Sequence, residues 1–267
     1  MLPEYPSDMP WVTVRLRNQL FAMPSATVRE MFPLGEVSAV PNAPAFVRGV
    51  INLRGNIMPL IDLRMRLGHT SASAEVDAFC GMMVQREQDH RNWLAELEAS
   101  VNERREFKLT TDPHKCAFGR WYDSYQPENV WVAVLLKKFD LPHQQIHRAA
   151  IQIRGLVDAG EYQKAVQLIQ STRQQVLSTM IKLFADLKNL VREVHREIAV
   201  VVTVSSKTFA VSVDSAESVE KLVAGSVTML PAAAISSEES TVQRSGRTRD
   251  DQLVLIIETD RISSSAA

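Results

Sequence analysis

The feature that most constrains this chain of 267 residues is a change of hydrophobic period, which occurs twice. In residues 10–70, apolar and polar side chains alternate, as in "WVTVRLR", and such alternation is typical of β-strands. From about 74 to 197, apolar residues recur every three or four positions, which indicates helices. Strand-like runs return at 198 with "IAVVVTV" and end with "QLVLIIET". The pattern predicts an α+β protein in which a helical block separates two β segments.

Each β segment begins with a similar hairpin. The stretch "VTVRLRNQLFAMP" can be laid over "VVTVSSKTFAVS", which places Val14 on Val202 and Phe21 on Phe209. In the turn "RGN", Gly55 supplies the positive φ that a tight turn needs. The weak repeat predicts two matching β lobes, 10–70 and 198–267, with a helical bundle at 74–197 inserted between them. The polar run "SSEESTVQRSGRTRDD" is predicted to be a loop.

Four helices are predicted in the central block. Two long ones run from about 74 to 101 and from about 161 to 196. A third is capped by Asp140 and ended by Gly160, and a short fourth is capped by Asp112 with Pro113 in its first turn. An even number of helices brings the two ends of an inserted bundle close together.

Three histidines and a cysteine in this block are candidate metal ligands. The stretch "HQQIH" places His143 and His147 one turn apart on one helix face. His90 lies on the apolar stripe of the first long helix, and Cys116 lies in the first turn of the short helix. One bundle could bring them together as a zinc site. From spacing alone it is equally open that the histidines are ordinary core or surface residues and that Cys116 is a small buried hydrophobe.

The motifs "HRNW", "CAFGRW" and "HQQIH", in that order and with this spacing, resemble the CZB domain, the chemoreceptor zinc-binding domain. The resemblance implies that His90, Cys116, His143 and His147 bind zinc, and that the domain senses zinc or oxidants such as hypochlorous acid at the cysteine. It also implies supporting roles in helix packing and water exclusion for the other motif residues, which are Trp93, Phe118, Gly119 and Trp121.

A set of three imidazoles and one thiolate fills a tetrahedral zinc ion, which leaves no position for an activated water. A zinc-dependent hydrolase is therefore disfavoured, and we predict that the protein is not an enzyme. Two further roles stay open, a regulatory zinc site and a purely structural one. Because Cys116 lies near a helix N-terminus and beside the zinc ion, we expect a lowered thiol pKa and reactivity toward oxidants.

The stretch "PAFVRGVINLRGNIMPLIDLRMRLG" at 44–68 resembles the CheW domain, the adaptor that couples chemoreceptors to the histidine kinase CheA. The likeness runs from about 11 to 68 and returns more loosely from 198 to 263. It implies two five-stranded SH3-like β-barrels and a partner-binding surface that includes Glu30 and Arg54. The glycine usual in the second lobe of the family is Ala210 here, so kinase binding through that lobe stays open.

The composition and the sequence pattern limit the kinds of partner that this protein can bind. A formal net charge of -1 without a basic stripe argues against nucleic acid. The aliphatic runs are too short to cross a bilayer, the start "MLPEYPSDMP" does not look like a signal peptide, and two cysteines make no disulfide framework. We therefore expect a cytoplasmic zinc-binding adaptor whose partners are a chemoreceptor cytoplasmic tip and a CheA-type histidine kinase. Pairing of two copies through the bundle stays open.

Overall fold

The computed structural model describes residues 5–263, except residue 7 and residues 236–239. The chain divides into two compact units. One unit, called the β unit below, contains the residues up to Ala74 together with those from His195 onward. The other, called the bundle, runs from Glu75 to Val194. The central helical block thus packs as a unit of its own, and the two β segments pack together.

The described residues of the β unit contain eleven strands. The first segment forms β1 (Pro10–Leu16), β2 (Gln19–Pro24), β3 (Val28–Pro33), β4 (Val47–Leu53), β5 (Asn56–Asp62) and a short helix α1 (Leu63–Arg66). The second segment forms β6 (Ile198–Val204), β7 (Lys207–Val213), β8 (Ser215–Lys221), β9 (Thr228–Met229), β10 (Val242–Arg247) and β11 (Leu253–Ile257). β10 lies inside the run predicted to be a loop, so that prediction is wrong for 242–247. Its buried Arg244 is compensated by an ion pair with the Glu258 carboxylate, at 2.7 Å from Nη2 to Oε2.

The strands form two open sheets, and each sheet contains strands from both segments. The six-stranded sheet has the order β8-β1-β2-β11-β10-β9, and the five-stranded sheet has the order β3-β6-β7-β5-β4. β2 runs parallel to β11, and β5 runs parallel to β7. The predicted pair of five-stranded SH3-like barrels is not confirmed, because neither sheet closes within the described residues. The run "IAVVVTV" is almost continuously apolar because β6 lies between β3 and β7 and is buried on both faces.

The core of the β unit and its ion pairs join the two segments. One apolar cluster combines residues of the first segment such as Val14 with residues of the second such as Val202. The Arg64 guanidinium donates to the Asp214 carboxylate, with an Nε to Oδ1 distance of 2.6 Å. A second ion pair joins Arg48 to the buried Glu197. Since removing one partner leaves a charge without compensation, loss of either partner is expected to destabilise the β unit.

The bundle contains six α-helices. Their bounds are α2 (Ala72–Asn102), α3 (Ala117–Ser124), α4 (Val130–Lys137), α5 (Asp140–Asp158), α6 (Tyr162–Ser171) and α7 (Ser178–Val194), with a π-helical turn at Thr172–Leu177 between the last two. The predicted long helix from 161 to 196 is therefore α6, the π turn and α7. α4 was not predicted, because "VWVAVLLK" is apolar all round and shows no polar face.

Two of the predicted helix starts are wrong by one and four residues. α3 begins at Ala117 with Cys116 as its N-cap, four residues beyond the predicted cap Asp112. Residues 112–115 form a turn instead, in which the Lys115 amide donates to the Asp112 carbonyl over 3.1 Å. α5 begins at Asp140 rather than after it, and Phe139 is its N-cap. The later start of α3 matters because it places a thiol, not a carboxylate, at the helix N-terminus.

Candidate metal centre

Three elements of the bundle bring four potential metal ligands together. His90 comes from α2, Cys116 from the N-cap of α3, and His143 and His147 from α5. One nitrogen of each imidazole and the Cys116 sulfur all lie within 4.8 Å of one another. The three histidines are buried and the cysteine is partly buried. The residues predicted from the sequence as a zinc set are therefore neighbours in space, although 26 residues or more separate some of them in the chain.

His90 is oriented by the helix that carries it. Its Nδ1 lies 2.7 Å from the carbonyl oxygen of Arg86, one turn earlier. A carbonyl only accepts hydrogen bonds, so Nδ1 carries the proton and Nε2 is left with a free lone pair. Within the described residues, Nε2 is buried and has no hydrogen-bond partner. Metal-bound histidines are commonly held in this way by a backbone carbonyl on the other nitrogen.

Cys116 is positioned by the start of α3. Its sulfur accepts a hydrogen bond from the Gly119 amide over 3.1 Å and lies 3.2 Å from Nε2 of His143. As a thiol it donates to the Pro113 carbonyl over 3.3 Å. Gly119 makes this geometry possible, because a Cβ there would lie 1.8 Å from the Pro113 oxygen. The turn at 113–116 thus approaches α3 as closely as only a glycine allows.

His143 and His147 lie one turn apart on α5 and face His90. Their ring centroids are 5.0 Å apart, and that of His143 is 5.2 Å from that of His90. Among the described residues, neither ring nitrogen of His147 has a hydrogen-bond partner, although the side chain is 1% exposed. Buried polar atoms are rarely left unpaired, since each one costs about 1–3 kcal/mol. Lone pairs that converge without donors are what a bound cation would satisfy.

Burial keeps the histidines neutral. Desolvation, with repulsion from neighbouring histidines, lowers the pKa of His143 to about 3 and that of His147 to about 4. Desolvation also lowers the pKa of His90. Neutral imidazole is the form that binds metal, so at neutral pH no proton has to be displaced from these rings.

In the metal-free chain the helix N-terminus is not sufficient to lower the pKa of the Cys116 thiol, and the lowering by a neighbouring zinc ion stays a prediction. Burial raises the pKa of Cys116, and the amides of Gly119 and Phe118 offset this only in part. The sequence shows that the residue lies near a helix N-terminus, but it does not show how far the thiol is removed from water. A bound cation would favour the thiolate, because a metal-coordinated thiol is deprotonated.

The donor set fits zinc. Three imidazole nitrogens and one thiolate are ligands that zinc accepts in tetrahedral sites, at about 2.0–2.1 Å for nitrogen and 2.3 Å for sulfur. Four protein ligands fill such a site. His114, which is close in sequence, does not belong to the cluster, because it is exposed and its Nδ1 lies 2.9 Å from the Asp123 carboxylate.

Aromatic rings surround the four ligands. Phe118 is 1% exposed, and its ring centroid lies 4.9 Å from that of His143 and 5.8 Å from that of His90. Trp93 packs against His147 at 4.9 Å, and its Nε1 donates to the Thr110 carbonyl over 2.9 Å. Trp121 lies farther out and stacks on Tyr125 at 4.7 Å, rather than on a histidine.

Two groups beside the ligands were not identified from the sequence. The Phe184 ring of α7 lies 6.2 Å from that of His90 and 5.4 Å from that of Phe118, so α7 also contributes an aromatic ring beside the ligands. The only signal for it was its position on the apolar stripe of α7. The Arg86 carbonyl that orients His90 carries no sequence signal, because every residue has one.

The two residues predicted to bind a partner lie in the β unit and contact each other. Arg54 occupies the two-residue turn between β4 and β5, where it and Gly55 have φ of 53° and 89°. These positive values are typical of a type I′ hairpin turn. The Arg54 guanidinium donates to the Glu30 carboxylate on β3 over 2.6 Å, while 76% of the Arg54 side chain is exposed. The pair therefore presents charge on a rigid turn.

Together, the fold and the cluster define a protein with an open two-sheet β unit and a helical bundle in which three buried histidines and one partly buried cysteine could hold a metal ion. Residues 10–95 match the family model of the CheW-like domain, and residues 90–154 match that of the chemoreceptor zinc-binding domain. The resemblance to both domains is thereby confirmed. The first match extends from the β unit into α2, and the second contains all four ligands.

Several named proteins are similar to part of this chain. A probable chemotaxis protein CheW from Rhizobium etli is 41% identical over 61 residues, which are 23% of this chain and 39% of that protein. The chemotaxis protein CheW from Rhizobium meliloti is 38% identical over 65 residues, or 24% of this chain and 42% of that protein. The chain thus spans about two fifths of the length of these relatives.

Among solved structures, the scaffolding protein TtCheW from Thermoanaerobacter tengcongensis is 13% identical, with a TM-score of 0.46 over 98% of this chain and 92% of that one. In the part of the chain that the structure describes, no helix combines the length and apolarity needed to span a bilayer.

Proposed function

We propose that this protein is a non-enzymatic signalling adaptor that couples chemoreceptors to a CheA-type histidine kinase and carries a zinc site. The adaptor role is supported by the CheW-like match at 10–95 and by relatives named chemotaxis proteins CheW. The zinc site is supported above all by the convergence of His90, Cys116, His143 and His147 within 4.8 Å. In this proposal the bundle is inserted at 74–197 between the two β segments.

The partner surface includes Glu30 and Arg54. Both lie in the region that matches the CheW-like domain, and they form an ion pair at the surface. An arginine on a type I′ turn costs little further entropy when it binds, because the turn already fixes its backbone. A receptor tip or a kinase domain with complementary charge would compete for one member of the pair. The second β segment contributes to this surface indirectly, because β6 pairs with β3 and β7 pairs with β5.

Zinc would be held by Nε2 of His90, the Cys116 sulfur and one nitrogen each of His143 and His147. When bound, zinc supplies a cross-link between α2, α3 and α5, because its ligands come from all three. The chain's own contribution is to keep the imidazoles neutral by burial and to hold the turn at 113–116 against Gly119. Four protein ligands leave no position for a reactive water, which disfavours a hydrolase.

Cys116 would be the residue that responds to oxidants. Hypochlorous acid transfers its oxygen to the sulfur, so the thiolate becomes sulfenic acid with loss of two electrons and chloride leaves. The oxidised sulfur is a poor metal ligand, and the cross-link between α3 and α5 is weakened. The Cys116 residue is only partly buried, so a small oxidant can reach it.

A purely structural zinc is the alternative, and the burial of all three histidines favours it. Structural sites are closed, exchange slowly and serve stability rather than regulation. The two roles differ in what partner binding does when zinc is removed. A regulatory site changes the affinity of the β unit for receptor or kinase, whereas a structural site changes only the stability of the bundle.

The test is capture of a receptor cytoplasmic fragment and of CheA by the full chain, with zinc and after its removal. We expect the two metal states to differ in capture, and Cys116→Ser to behave like the metal-free chain in both. Cys80→Ala is the matched control, because Cys80 is the other cysteine and lies outside the cluster. If the chain binds zinc but captures its partners equally well with zinc and after zinc removal, the zinc is structural. If neither the zinc-bound nor the metal-free chain captures a partner, the adaptor role itself is refuted.

A further inference from the structure

The bundle contains a cavity that is separate from the four ligands. Its volume is about 340 Å³, and its walls come from the end of α2, the segment that follows α2, the second half of α5 and the start of α6. The floor is apolar and includes the buried side chains of Leu97, Phe107 and Ile153. Small-molecule sites in proteins are concave, largely apolar and about 300–1,000 Å³ in volume. The cavity is at the lower end of that range, which limits its occupant to a small molecule.

Two arginines line this cavity without a carboxylate partner. The Arg104 guanidinium lies over the ring of Tyr162, with 5.1 Å to the ring centroid. Arg154 donates from Nη2 to the Phe107 carbonyl at 3.5 Å, which is a weak contact. Within the described residues, no ion pair is formed by either of them. Arg105 also lines the cavity, but its guanidinium is bound to Glu96 and Glu103 outside it.

The backbone at Arg104 is unusual for an arginine. The Arg105 amide donates to the Ser100 carbonyl over 3.0 Å, and the Arg104 amide donates to the Val101 carbonyl over 3.3 Å. These two bonds form a Schellman motif at the end of α2, with Arg104 at the C′ position. Its φ of 52° is left-handed, and glycine is usual there because other residues are less stable in this conformation. The chain thus places an arginine at the cavity where glycine would stabilise the helix end.

Two guanidinium groups of the lining, those of Arg104 and Arg154, are available to an anion, because within the described residues neither forms an ion pair. The Arg105 guanidinium is already bound to Glu96 and Glu103, and the lining also contains the carboxylates of Glu106 and Asp158. A guanidinium is planar and binds a carboxylate through two parallel hydrogen bonds. We propose that this cavity binds a small organic acid, whose apolar body packs on Phe107 and whose carboxylate is held by Arg104 and Arg154. The site does not depend on the adaptor role proposed above.

The floor of the cavity is one aromatic layer from the metal ligands. The Phe107 ring lies edge-on to Trp93 at 5.2 Å, and Trp93 packs on His147 at 4.9 Å. Because a carboxylate could also bind to a metal ion directly, the test is done on the metal-free full chain. This choice separates occupancy of the cavity from occupancy of the four-ligand cluster.

The probes are phenylacetate, indole-3-acetate and 4-methylpentanoate, with phenylacetamide as the neutral match of the first. Binding is followed by chemical-shift changes of the backbone amides. We expect saturable shifts at 104–107 and at 154–158 with an acid, and binding of phenylacetamide at least about tenfold weaker than that of phenylacetate, because it lacks the charge. No saturable shift with any of the three acids at millimolar concentration would overturn the proposal, as would equal binding of the amide.

Variants locate the site. Arg154→Met is expected to weaken phenylacetate binding at least about fivefold. Arg104→Gly should weaken phenylacetate binding by a similar factor. The same variant should raise the unfolding temperature, because glycine suits the left-handed C′ position. A loss of binding in Arg104→Gly therefore cannot be caused by unfolding. Arg148→Gln is the matched control, because Arg148 lies on α5 outside the cavity and should leave binding unchanged. An equal loss with Arg148→Gln, or full binding by Arg104→Gly and Arg154→Met, would refute the site.

Discussion

The substitution Gly119→Ala tests how the bundle brings its cysteine to the histidines. A Cβ at this position would lie 1.8 Å from the Pro113 carbonyl oxygen, and real Cβ atoms essentially never approach a heavy atom within 3.0 Å. The obstructing atom belongs to the backbone, so no side-chain rotation relieves the contact. The turn at 113–116 has to move away from α3 by more than an ångström.

This movement displaces the Cys116 sulfur, because the same turn carries it. The sulfur now lies 3.1 Å from the Gly119 amide and 3.2 Å from Nε2 of His143. Metal–ligand distances tolerate only about ±0.2 Å, so the thiolate and the three histidines can no longer be satisfied together without strain. We expect zinc affinity to fall by about 10–100-fold, as for other residues that orient ligands. Overpacking should also reduce the stability of the metal-free chain by about 1–3 kcal/mol.

Competition against a chromophoric zinc chelator measures the affinity, and urea denaturation of the metal-free chain measures the stability. Gly155→Ala in α5 is the matched control, since nothing lies within 4 Å of its added Cβ. This control should keep the zinc affinity of the wild type and gain up to about 1 kcal/mol, because alanine favours helix. Wild-type zinc affinity and stability in Gly119→Ala would refute the close approach of the turn to α3.

Three further predictions concern acid, the thiol and the surface ion pair. Burial lowers the pKa of His143 to about 3 and that of His147 to about 4. In the unfolded chain the imidazole pKa is about 6.5, so below that pH the unfolded metal-free chain binds more protons than the folded one. The free energy of unfolding is therefore highest above about pH 6.5 and falls on acidification. At about pH 5, His143 and His147 together should lower it by about 4 kcal/mol. A urea midpoint that did not change with pH would contradict this. Cys116→Ser keeps a side-chain oxygen at the cap, so metal-free stability should change by less than about 1 kcal/mol, while zinc per chain, measured by atomic emission after dialysis, falls well below one. Full zinc content would show that the sulfur is no ligand. Glu30→Lys breaks an exposed ion pair and should lower the free energy of unfolding by less than about 1 kcal/mol in a denaturant titration, yet abolish capture of CheA or receptor. The double variant Glu30→Lys with Arg54→Glu should restore the ion pair but not the capture. Unimpaired capture by Glu30→Lys would exclude this surface as the partner-binding site.

The sequence by itself determined the order of β and helical blocks, most of the long elements and which residues are candidates for binding metal. The spacing of apolar residues along an element shows which of its faces is buried. The predicted buried stripe of the first long helix is confirmed for His90, Leu94 and Leu97, since all three are buried. The hairpins at the start of both β segments form as the repeat predicted. Spacing made His90, Cys116, His143 and His147 candidates without deciding between metal ligands and ordinary core residues, and it was the resemblance of their motifs to a known domain that implied the ligand set.

Only the tertiary structure decided what each face packs against. The alternation of apolar and polar residues in β2 or β5 does not show which strand each one pairs with. Both pair with strands more than 140 residues away in the chain, so each sheet combines both segments. α4 has no polar face from which a period could be read, and it forms because Val132 and Leu136 are buried in the bundle. The raised pKa of Cys116 and the lowered pKa of His143 come from desolvation by residues distant in the chain. Local patterns follow from bonded geometry, whereas pairing, burial and electrostatics depend on which distant residues exclude water, and that is fixed only when the whole chain packs.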